Sequence, residues 1–286
     1  MAAEAGPGRL ARAKVNLTLH LNGQRPDGYH LLDSLVVFPE MGDQLWVEPD
    51  LDLALSTFGP FGAEVPDDAS NLIIKAANAL ADHYNVARGA AFRLEKYLPP
   101  ASGIGGGSSD AATALGLLSE LWGCEIPDGL ALTLGADIPV CRAAPVPQRM
   151  RGIGEKLDPV RGLPSHWMVL VNPGVEVPTG AVFAEVEDRN PPPGPEAPSS
   201  GFCDFPQFAE WLKLQRNDLQ APAEAICPAI GEVLTALATA PVSRMSGSGA
   251  TCFAVFEGEA NAARMAAELR SRSGWWVAAA PVRTSD

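Results

Sequence analysis

The residues best suited to carry chemistry form a glycine-rich stretch with serine hydroxyls on both sides. In order they are Pro99, Pro100, Ala101, Ser102, Gly103, Ile104, Gly105, Gly106, Gly107, Ser108, Ser109 and Asp110. An alternating apolar pattern precedes this stretch and a helical pattern follows it, so the glycines lead into a helix. The open N–H groups and the dipole of a helix N-terminus attract anions, and glycine allows a ligand to approach closely. The stretch therefore predicts a phosphate site.

The stretch differs from two widespread phosphate motifs. A Walker A loop needs a lysine directly after its last glycine, whereas Ser108 follows Gly107. A dinucleotide fingerprint that begins at Gly103 needs glycine or alanine where Ser108 stands. A flexible linker is the plain alternative, but the strand and helix patterns on both sides favour a binding loop.

Four other segments carry side chains that could act on a phosphate or an alcohol. Asp137 lies in an apolar run broken by glycine and proline, where a carboxylate is either a helix cap or a functional group. Lys14 lies on an alternating strand, where a charge at a sheet edge is the plain alternative. Tyr29 and His30 end a turn and could contact a base. A second glycine–serine loop at 246–250 could hold another phosphate or be only a tight loop.

The composition argues against several classes of function. Among 286 residues, 34 are acidic and 21 are basic, so the formal net charge is −13 and nucleic-acid binding is not predicted. The hydrophobic fraction of 47 % allows a large core in one or two domains. The five cysteines are odd in number and include no C-x-x-C pair, which predicts reduced thiols. There is no secretory signal and no apolar run of about 18 residues, so we expect a cytoplasmic protein without a membrane partner.

The elements that must position these residues are mainly strands at first and helices later, which predicts an α+β fold. In the first half, strands are predicted over 15–21, 31–39, 44–47, 51–55 and 91–98. Helices are predicted over 72–83, capped by Ser70 and Asn71, and over 110–122.

The second half begins less distinctly. Strands are predicted over 167–171, 252–256 and 275–280, with helices over 223–238 and 259–272, which together indicate a small sheet with helices on one face. We predict two domains, residues 1–155 and 156–286. The proline-rich segment 190–201 is interpreted as an insertion without catalytic content, and no role is predicted for 142–151.

Taken together, the segments resemble the GHMP kinases. The stretch 99–109 is similar to the phosphate loop of that family. The other similar segments, in chain order, are Ala13-Lys14-Val15-Asn16-Leu17, Arg25-Pro26-Asp27-Gly28-Tyr29-His30, Gly135-Ala136-Asp137-Ile138-Pro139 and Ser246-Gly247-Ser248-Gly249-Ala250. The resemblance implies a two-domain GHMP kinase fold, with an amino-terminal ATP-binding domain like ribosomal protein S5 domain 2 and a carboxy-terminal ferredoxin-like α/β plait. It is strongest to members whose alcohol substrate carries a cytidine diphosphate.

The resemblance also implies a role for each site residue in an ATP-dependent small-molecule kinase. Asp137 matches the catalytic base of the family, and Lys14 matches its partner. The stretch from Pro99 to Ser109, together with Asn71, matches the ATP-binding residues. The substrate side is implied to consist of Asn16, Tyr29, His30, Thr179, Phe183, Gly247, Ser248 and Gly249. ATP is expected as the Mg²⁺ complex with unknown metal ligands, and the protein as a monomer or weak homodimer.

Three other hypotheses stay open on the sequence alone. Another GHMP kinase, of homoserine or mevalonate type, would explain the glycine loops but not Tyr29 and His30. A dinucleotide-binding oxidoreductase would use the glycine stretch, but its expected β-α-β start is absent from the sequence patterns. A non-catalytic nucleotide-binding regulator would have no need for both Lys14 and Asp137.

Overall fold

The computed structural model describes residues 8–85, 89–199, 201–272 and 274–284. Its contacts divide the chain into two compact units. The first unit comprises Met1–Ala13, Met41–Pro100 and Gly105–Ala143, and the second comprises Lys14–Glu40, Ala101–Ile104 and Ala144–Asp286. The chain therefore passes from one unit to the other within the glycine-rich stretch. Neither unit is continuous in sequence, and the predicted domain boundary at 155/156 stays a prediction.

The described residues form thirteen strands and nine α-helices, which confirms the α+β class. The strands are β1 (Arg9–Arg12), β2 (Val15–Asn16), β3 (His20–Gln24), β4 (His30–Val37), β5 (Gly42–Asp50), β6 (Leu53–Phe58), β7 (Gly89–Glu95), β8 (Gln148–Gly152), β9 (Lys156–Pro159), β10 (His166–Asn172), β11 (Val242–Met245), β12 (Cys252–Phe256) and β13 (Trp276–Val282). The helices are α1 (Leu72–Tyr84), α2 (Gly106–Trp122), α3 (Leu130–Leu134), α4 (Ile138–Arg142), α5 (Thr179–Ala184), α6 (Phe205–Lys213), α7 (Gln220–Ile226), α8 (Ala229–Leu237) and α9 (Glu259–Leu269).

The first unit is built on a four-stranded sheet in the order β1-β5-β7-β6. The β6–β7 pair is parallel and the other pairs are antiparallel. Helix α2 packs against β1 and β5, and α1 packs against α2. Alternate residues of the central strands are buried, including Leu45, Phe92 and Leu94, and so are Leu115 and Leu118 of α2. Their burial removes apolar surface from water and holds α2 on the sheet.

Helix α1 begins where the sequence predicts it, because its cap is local. The Asn71 Oδ1 accepts a hydrogen bond from the N–H of Ile73 at 2.9 Å and so satisfies an open donor of the first turn. At the other end Asn85 adopts a left-handed conformation with φ of 51° and closes the helix.

The second unit contains two sheets. In the first, β4 pairs antiparallel with β2, β3 and β8, and β8 continues to β9. In the second, four antiparallel strands lie in the order β11-β12-β10-β13, with α8 and α9 packed against them. Its core includes Val169, Ala254, Ile230 and Met265, all buried. The predicted small sheet with packed helices is therefore present.

Two predicted elements are interrupted. The predicted strand over 15–21 ends after Asn16, because the N–H of Leu17 bonds to Leu35 whereas that of Leu19 bonds to the carbonyl of Arg216. The predicted helix over 223–238 is two helices, α7 and α8, with Pro228 at the start of the second. Proline lacks the N–H that a continuous helix would use there.

The stretch 142–151, for which the sequence predicts nothing, completes the sheet around β4. Its second half forms β8, and the Arg149 guanidinium makes a bidentate ion pair with Asp33 across the β4–β8 register. Arg149 therefore has a structural role, since it links β8 to β4. Within the described residues, no helix combines the length and the apolar character that crossing a membrane requires.

Candidate active site

The glycine-rich stretch leads directly into α2. Gly105 takes a left-handed conformation with φ of 65°, and the helix begins at Gly106, four residues before the predicted start at 110. The N–H of Ser109 closes the first turn onto the carbonyl of Gly105 at 2.8 Å. The N–H groups just before it have no acceptor inside the helix. These open donors and the helix dipole favour a phosphate here, as the sequence predicts.

The two serine hydroxyls of this turn have different surroundings. Ser109 is buried, and its Oγ donates a hydrogen bond to the carbonyl of Arg12 at 2.6 Å. Ser108 is only partly buried. Ser109 therefore ties the helix to the strand region before it, which leaves the Ser108 hydroxyl as the better candidate to meet a ligand.

A buried charge cluster lies directly beneath the start of α2. The Lys96 Nζ is 2.6 Å from Asp43 Oδ2 and 2.7 Å from Asp110 Oδ2, and all three side chains are buried. The other Asp43 oxygen accepts the N–H groups of Tyr97 and Leu98. A Cβ on Gly106 would lie 3.1 Å from Lys96 Nζ, so the ammonium group sits against the helix start.

In this cluster, burial and the attraction between opposite charges shift the pKa values in opposite directions. Burial lowers the pKa of Lys96, but the carboxylates of Asp110 and Asp43 outweigh that effect and the pKa is raised. Burial raises the pKa of Asp110, with Lys96 opposing and Asp43 adding to the rise. One cation therefore stabilises two carboxylates that cannot both be ionised at low cost. The sequence patterns above do not predict this cluster.

Asn71 and Asp137 also belong to the first unit. Both polar atoms of the Asn71 side chain make local bonds, since Nδ2 donates to the carbonyl of Pro66 at 2.6 Å in addition to the cap. Asp137 occupies the N-cap position of α4 and is partly exposed, yet its carboxylate makes no cap hydrogen bond. Of the two interpretations of Asp137, a helix cap or a functional carboxylate, the structure therefore does not support the side-chain cap. The ATP contact of Asn71 and the catalytic role of Asp137 stay predictions.

In the second unit, residues 101–104 pack against the second glycine loop. The carbonyl of Ser102 accepts the N–H of Thr251 at 3.2 Å, and the carbonyl of Ile104 accepts the N–H of Lys14 at 2.8 Å. The backbone at Gly103 passes so close to the second loop that a Cβ there would lie 2.3 Å from the Gly249 oxygen. The Lys14 side chain is buried, which rules out the solvated edge-strand charge as an interpretation.

Asn16 presents an unused acceptor in the same region. Its N–H donates to Ser246 Oγ at 3.1 Å and its Nδ2 donates to Ser34 Oγ at 2.7 Å. Its Oδ1 is buried and has no hydrogen-bond partner among the described residues. A Cβ on Gly247 would lie 3.4 Å from that oxygen. A buried acceptor without a partner costs free energy, so a ligand donor at Asn16 would remove a penalty.

The second glycine loop is held by groups that the sequence analysis did not single out. The Asn217 Nδ2 donates to the carbonyls of Met245 and Gly247, both at 2.8 Å. On the other side, Ser248 Oγ lies 2.8 Å from Thr179 Oγ1 at the start of α5. The structure thus brings together Thr179 and Ser248, two of the residues predicted for the substrate side.

Tyr29 and His30 stand at the hairpin between β3 and β4. Tyr29 is 59 % exposed, so its ring is accessible to a ligand. The His30 ring stacks on Phe183 of α5, with centroids 4.9 Å apart and an angle of 29° between the planes. Its Nδ1 is buried and has no hydrogen-bond partner among the described residues. Burial and then the charge of Arg189 lower the pKa of His30, which favours the neutral form of its ring.

This aromatic site suits a heterocyclic base. A neutral imidazole offers one donor and one acceptor, the pattern needed to bond the edge of a base, and the rings offer stacking surfaces. No group of three or more acidic, histidine or cysteine side chains that could hold a metal ion occurs within the described parts of the chain. A metal that arrives with a nucleotide takes most of its ligands from phosphate oxygens and water, which fits this donor set.

The contact between Gly103 and Gly249 gives a test of the loop packing. Replacing Gly103 with alanine should lower the free energy of unfolding by about 2–4 kcal/mol, because the residue has φ of 75° and its Cβ would overlap the Gly249 oxygen. Gly123→Ala is the matched control, since Gly123 has φ of 62° but nothing within 4 Å of its Cβ. The control should lose only about 1–2 kcal/mol in urea unfolding, the cost of the left-handed conformation alone. Equal losses in the two variants would contradict the close packing.

Two family models match the chain. The model for GHMP kinases N terminal domain matches residues 71–144, and the model for GHMP kinases C terminal matches residues 203–273. A protein of Dinoroseobacter shibae named 4-diphosphocytidyl-2-C-methyl-D-erythritol kinase is 53 % identical over 278 residues, covering 96 % of this chain and 94 % of that protein. A protein of a Jannaschia species with the same name is 53 % identical over 275 residues, covering 95 % and 96 %.

Solved structures give the same grouping. A crystal structure of 4-(cytidine 5'-diphospho)-2C-methyl-D-erythritol kinase superimposes with a TM-score of 0.75 at 35 % identity, covering 95 % of this chain and 98 % of that one. A homoserine kinase from Cytophaga hutchinsonii has a TM-score of 0.62 at 16 % identity, covering 94 % of each chain, and is similar in fold alone.

Proposed function

This chain belongs to the GHMP kinase family, and on that premise we propose that it phosphorylates 4-diphosphocytidyl-2-C-methyl-D-erythritol with ATP. The phosphoryl group goes to the 2-hydroxyl of the methylerythritol, a step of the non-mevalonate isoprenoid pathway. Identity of about half over nearly the full length of the two relatives supports this substrate. The observation that carries the proposal is the stacked His30–Phe183 pair with the unpaired His30 nitrogen, which fits the cytosine end.

The donor side of the proposed reaction rests on the start of α2. The open N–H groups after Gly105 bind the phosphates of ATP, and Ser108 is the side chain placed to meet them or their metal ion. Mg²⁺, when bound with ATP, neutralises the charge of the phosphate oxygens. The absence of side chains at the glycine positions lets the backbone itself act as the anion receptor.

The acceptor side needs a group that aligns the hydroxyl and takes its proton. We assign this role to Asp137, whose carboxylate is partly exposed and is not used to cap α4. Lys14 is assigned as its partner, where a cation stabilises the negative charge that develops during transfer. Asn16 presents its unpaired Oδ1 to a hydroxyl of the methylerythritol, and Thr179, Gly247, Ser248 and Gly249 form the rest of the proposed substrate side.

Direct assay separates this function from its alternative within the family. The purified protein is incubated with Mg-ATP and the cytidine diphosphate alcohol, and both ADP release and the mass of the product are measured. A product heavier by one phosphoryl group supports the proposal. Turnover of homoserine or mevalonate, without turnover of the cytidine substrate, would overturn the substrate and leave the family assignment intact.

Tyr29 gives a test of base recognition. Replacing Tyr29 with alanine should raise the KM for the cytidine substrate by about tenfold or more, because base–aromatic stacking contributes about 1–3 kcal/mol per base. The KM for ATP should stay unchanged. Steady-state kinetics with each substrate varied in turn measures both values, and Tyr29→Phe is the control that keeps the ring. An unchanged KM in the alanine variant would remove Tyr29 from base binding.

A further inference from the structure

The proline-rich segment after α5 is bonded to the hairpin that carries Tyr29 and His30. The carbonyl of Arg189 accepts a hydrogen bond from the N–H of Gly23 at 2.8 Å. The Nη1 of the Arg189 side chain donates to Gln24 Oε1 at 2.7 Å. The Gln24 Nε2 then donates to the carbonyl of Gly28 at 2.9 Å, directly before Tyr29. One arginine therefore connects the beginning of the segment to both sides of the turn.

Two backbone hydrogen bonds within the turn define its shape. The N–H of Arg25 bonds to the carbonyl of Tyr29 at 2.8 Å, and the N–H of Gly28 bonds to the carbonyl of Arg25 at 3.0 Å. Gly28 has φ of 92° and no neighbour within 4 Å of its Cβ position. The turn projects from the hairpin without packing at that point, so the bonds through Gln24 are its external support.

Farther along, the segment is fastened by its carbonyl groups. Prolines have no N–H to donate to a strand or helix ladder, but their carbonyls accept hydrogen bonds. The carbonyl of Pro195 accepts Gln215 Nε2 at 2.9 Å and Trp211 Nε1 at 3.1 Å. The Trp211 ring itself packs with Phe202 and Phe208. The segment is therefore fixed to α6 as well as to the hairpin.

Close packing fixes the middle of the segment. A Cβ on Gly194 would lie 2.2 Å from His20 Cε1 and 2.7 Å from Gln215 Oε1, so a larger residue there would displace one of these side chains. His20 is buried in β3, the strand that leads into the hairpin. The segment therefore packs against β3 at Gly194, and the interpretation of 190–201 as an insertion without catalytic content stays a prediction.

We propose that residues 189–199 form a strap that sets the position of the Tyr29–His30 turn, with Arg189 as its positioning residue for the nucleotide end of the acceptor. This inference rests on the proposed function. Bonds at Gly23, Gln24 and, through Gln24, Gly28 hold the turn, while stacking on Phe183 holds the His30 ring. The strap preorganises the base site, and preorganisation improves binding by reducing the cost of ordering it.

The charge of Arg189 supplies a readout that does not depend on turnover. After burial, Arg189 is the group that lowers the pKa of His30. The chain has only four histidines, so the His30 signal in a histidine NMR spectrum is assigned by comparison with His30→Gln. Removing the guanidinium should move the His30 titration midpoint to higher pH.

The experiment compares Arg189→Met with Arg161→Met, a control at another exposed arginine of the second unit. Methionine keeps the stem of arginine and removes its donors and its charge. In Arg189→Met, the Kd for CDP and the KM for the cytidine substrate should rise about three- to tenfold, as for the loss of a typical hydrogen bond. The kcat and the KM for ATP should stay within about twofold of the wild type, and the His30 midpoint should rise.

A second variant tests the strap away from the turn. Trp211→Phe keeps an aromatic ring beside Phe208 but removes the indole donor to Pro195 and Glu196. Like Arg189→Met, it should raise the Kd for CDP, but it should leave the titration midpoint of His30 unchanged. Unchanged CDP affinity in both variants, or a fall in kcat at constant KM, would overturn the strap. Wild-type protein that neither binds CDP nor phosphorylates the cytidine substrate would instead overturn the proposed function.

Discussion

Replacing Asp137 with asparagine should lower kcat by about 10²–10⁴-fold while the protein stays folded. Asparagine has the same shape and is itself a favoured N-cap residue, so α4 can still begin at Ile138. It cannot take the proton of the acceptor hydroxyl. A general base contributes a factor of this size because it removes the proton as the oxygen forms its new bond to phosphorus.

The measurement separates chemistry from binding. Steady-state kinetics should show a lower kcat, with the KM for both substrates changed little, because the lost interaction acts mainly in the transition state. Asp128→Asn, an exposed aspartate of the same unit, is the control and should be active. Turnover near the wild-type rate in Asp137→Asn would remove Asp137 from the mechanism.

Lys14 is tested by its coupling to Asp137. If the two residues act in the same step, Lys14→Met should lower kcat strongly alone and only slightly more when Asp137→Asn is already present. Groups that act as a unit give such non-additive losses. Since Lys14 is buried, a thermal melt of Lys14→Met is recorded alongside to separate lost activity from lost folding.

Local signals account for the parts of the fold that the sequence predicts well. The cap at Asn71 and the continuous apolar run of β12 act between residues a few positions apart, so α1 and β12 lie where the patterns place them. When a strand changes its hydrogen-bond partner to a segment far along the chain, no local sequence pattern reports the change. The break after Asn16 arises because Leu19 bonds to the carbonyl of Arg216, almost two hundred positions away.

The site shows the same difference between near and distant signals. The glycine stretch and the start of α2 are contiguous, so sequence patterns find them together. The Asn217 side chain that holds the second glycine loop and the Arg189 bonds to the hairpin depend on tertiary approach. Composition alone indicates an insertion at 190–201 and does not show that the carbonyl of Pro195 accepts bonds from Trp211 and Gln215.

Lys96 is the residue that the sequence could have revealed. It falls in phase with Phe92, Leu94 and Leu98, all buried, so the alternation places its side chain inward. An inward lysine needs buried anions as partners. Asp110 is one of them, at the end of the glycine stretch, and Asp43 is the other, at the start of β5. The phase of the strand predicts such a cluster, but not which carboxylates complete it.

Replacing Lys96 with methionine should destabilise the protein by about 3–5 kcal/mol, the usual cost of removing one partner from a buried ion pair. Methionine replaces the apolar stem of lysine as far as Cε and lacks only the ammonium group, so most of the loss reflects the missing charge. The carboxylates of Asp43 and Asp110 would then share a buried site without a cation. Urea unfolding measures the change, and Lys75→Met, at an exposed position of α1, is the control that should stay near the wild type.

The pH dependence of that loss identifies its cause. Burial raises the pKa of Asp110 and Lys96 opposes the rise, so without Lys96 the folded protein binds this proton still more tightly. A raised carboxyl pKa contributes stability that is full below the unfolded pKa of about 3.9 and is lost as pH rises. The pKa of Asp110 is raised to about 7 in the wild type, so the fall in wild-type stability should level off near that pH, whereas the stability of Lys96→Met should continue to fall above it. Adding Asp110→Asn removes one carboxylate and should restore part of the stability and flatten the slope, whereas parallel pH profiles in all three proteins would show that the charge of Lys96 is not what holds the start of α2.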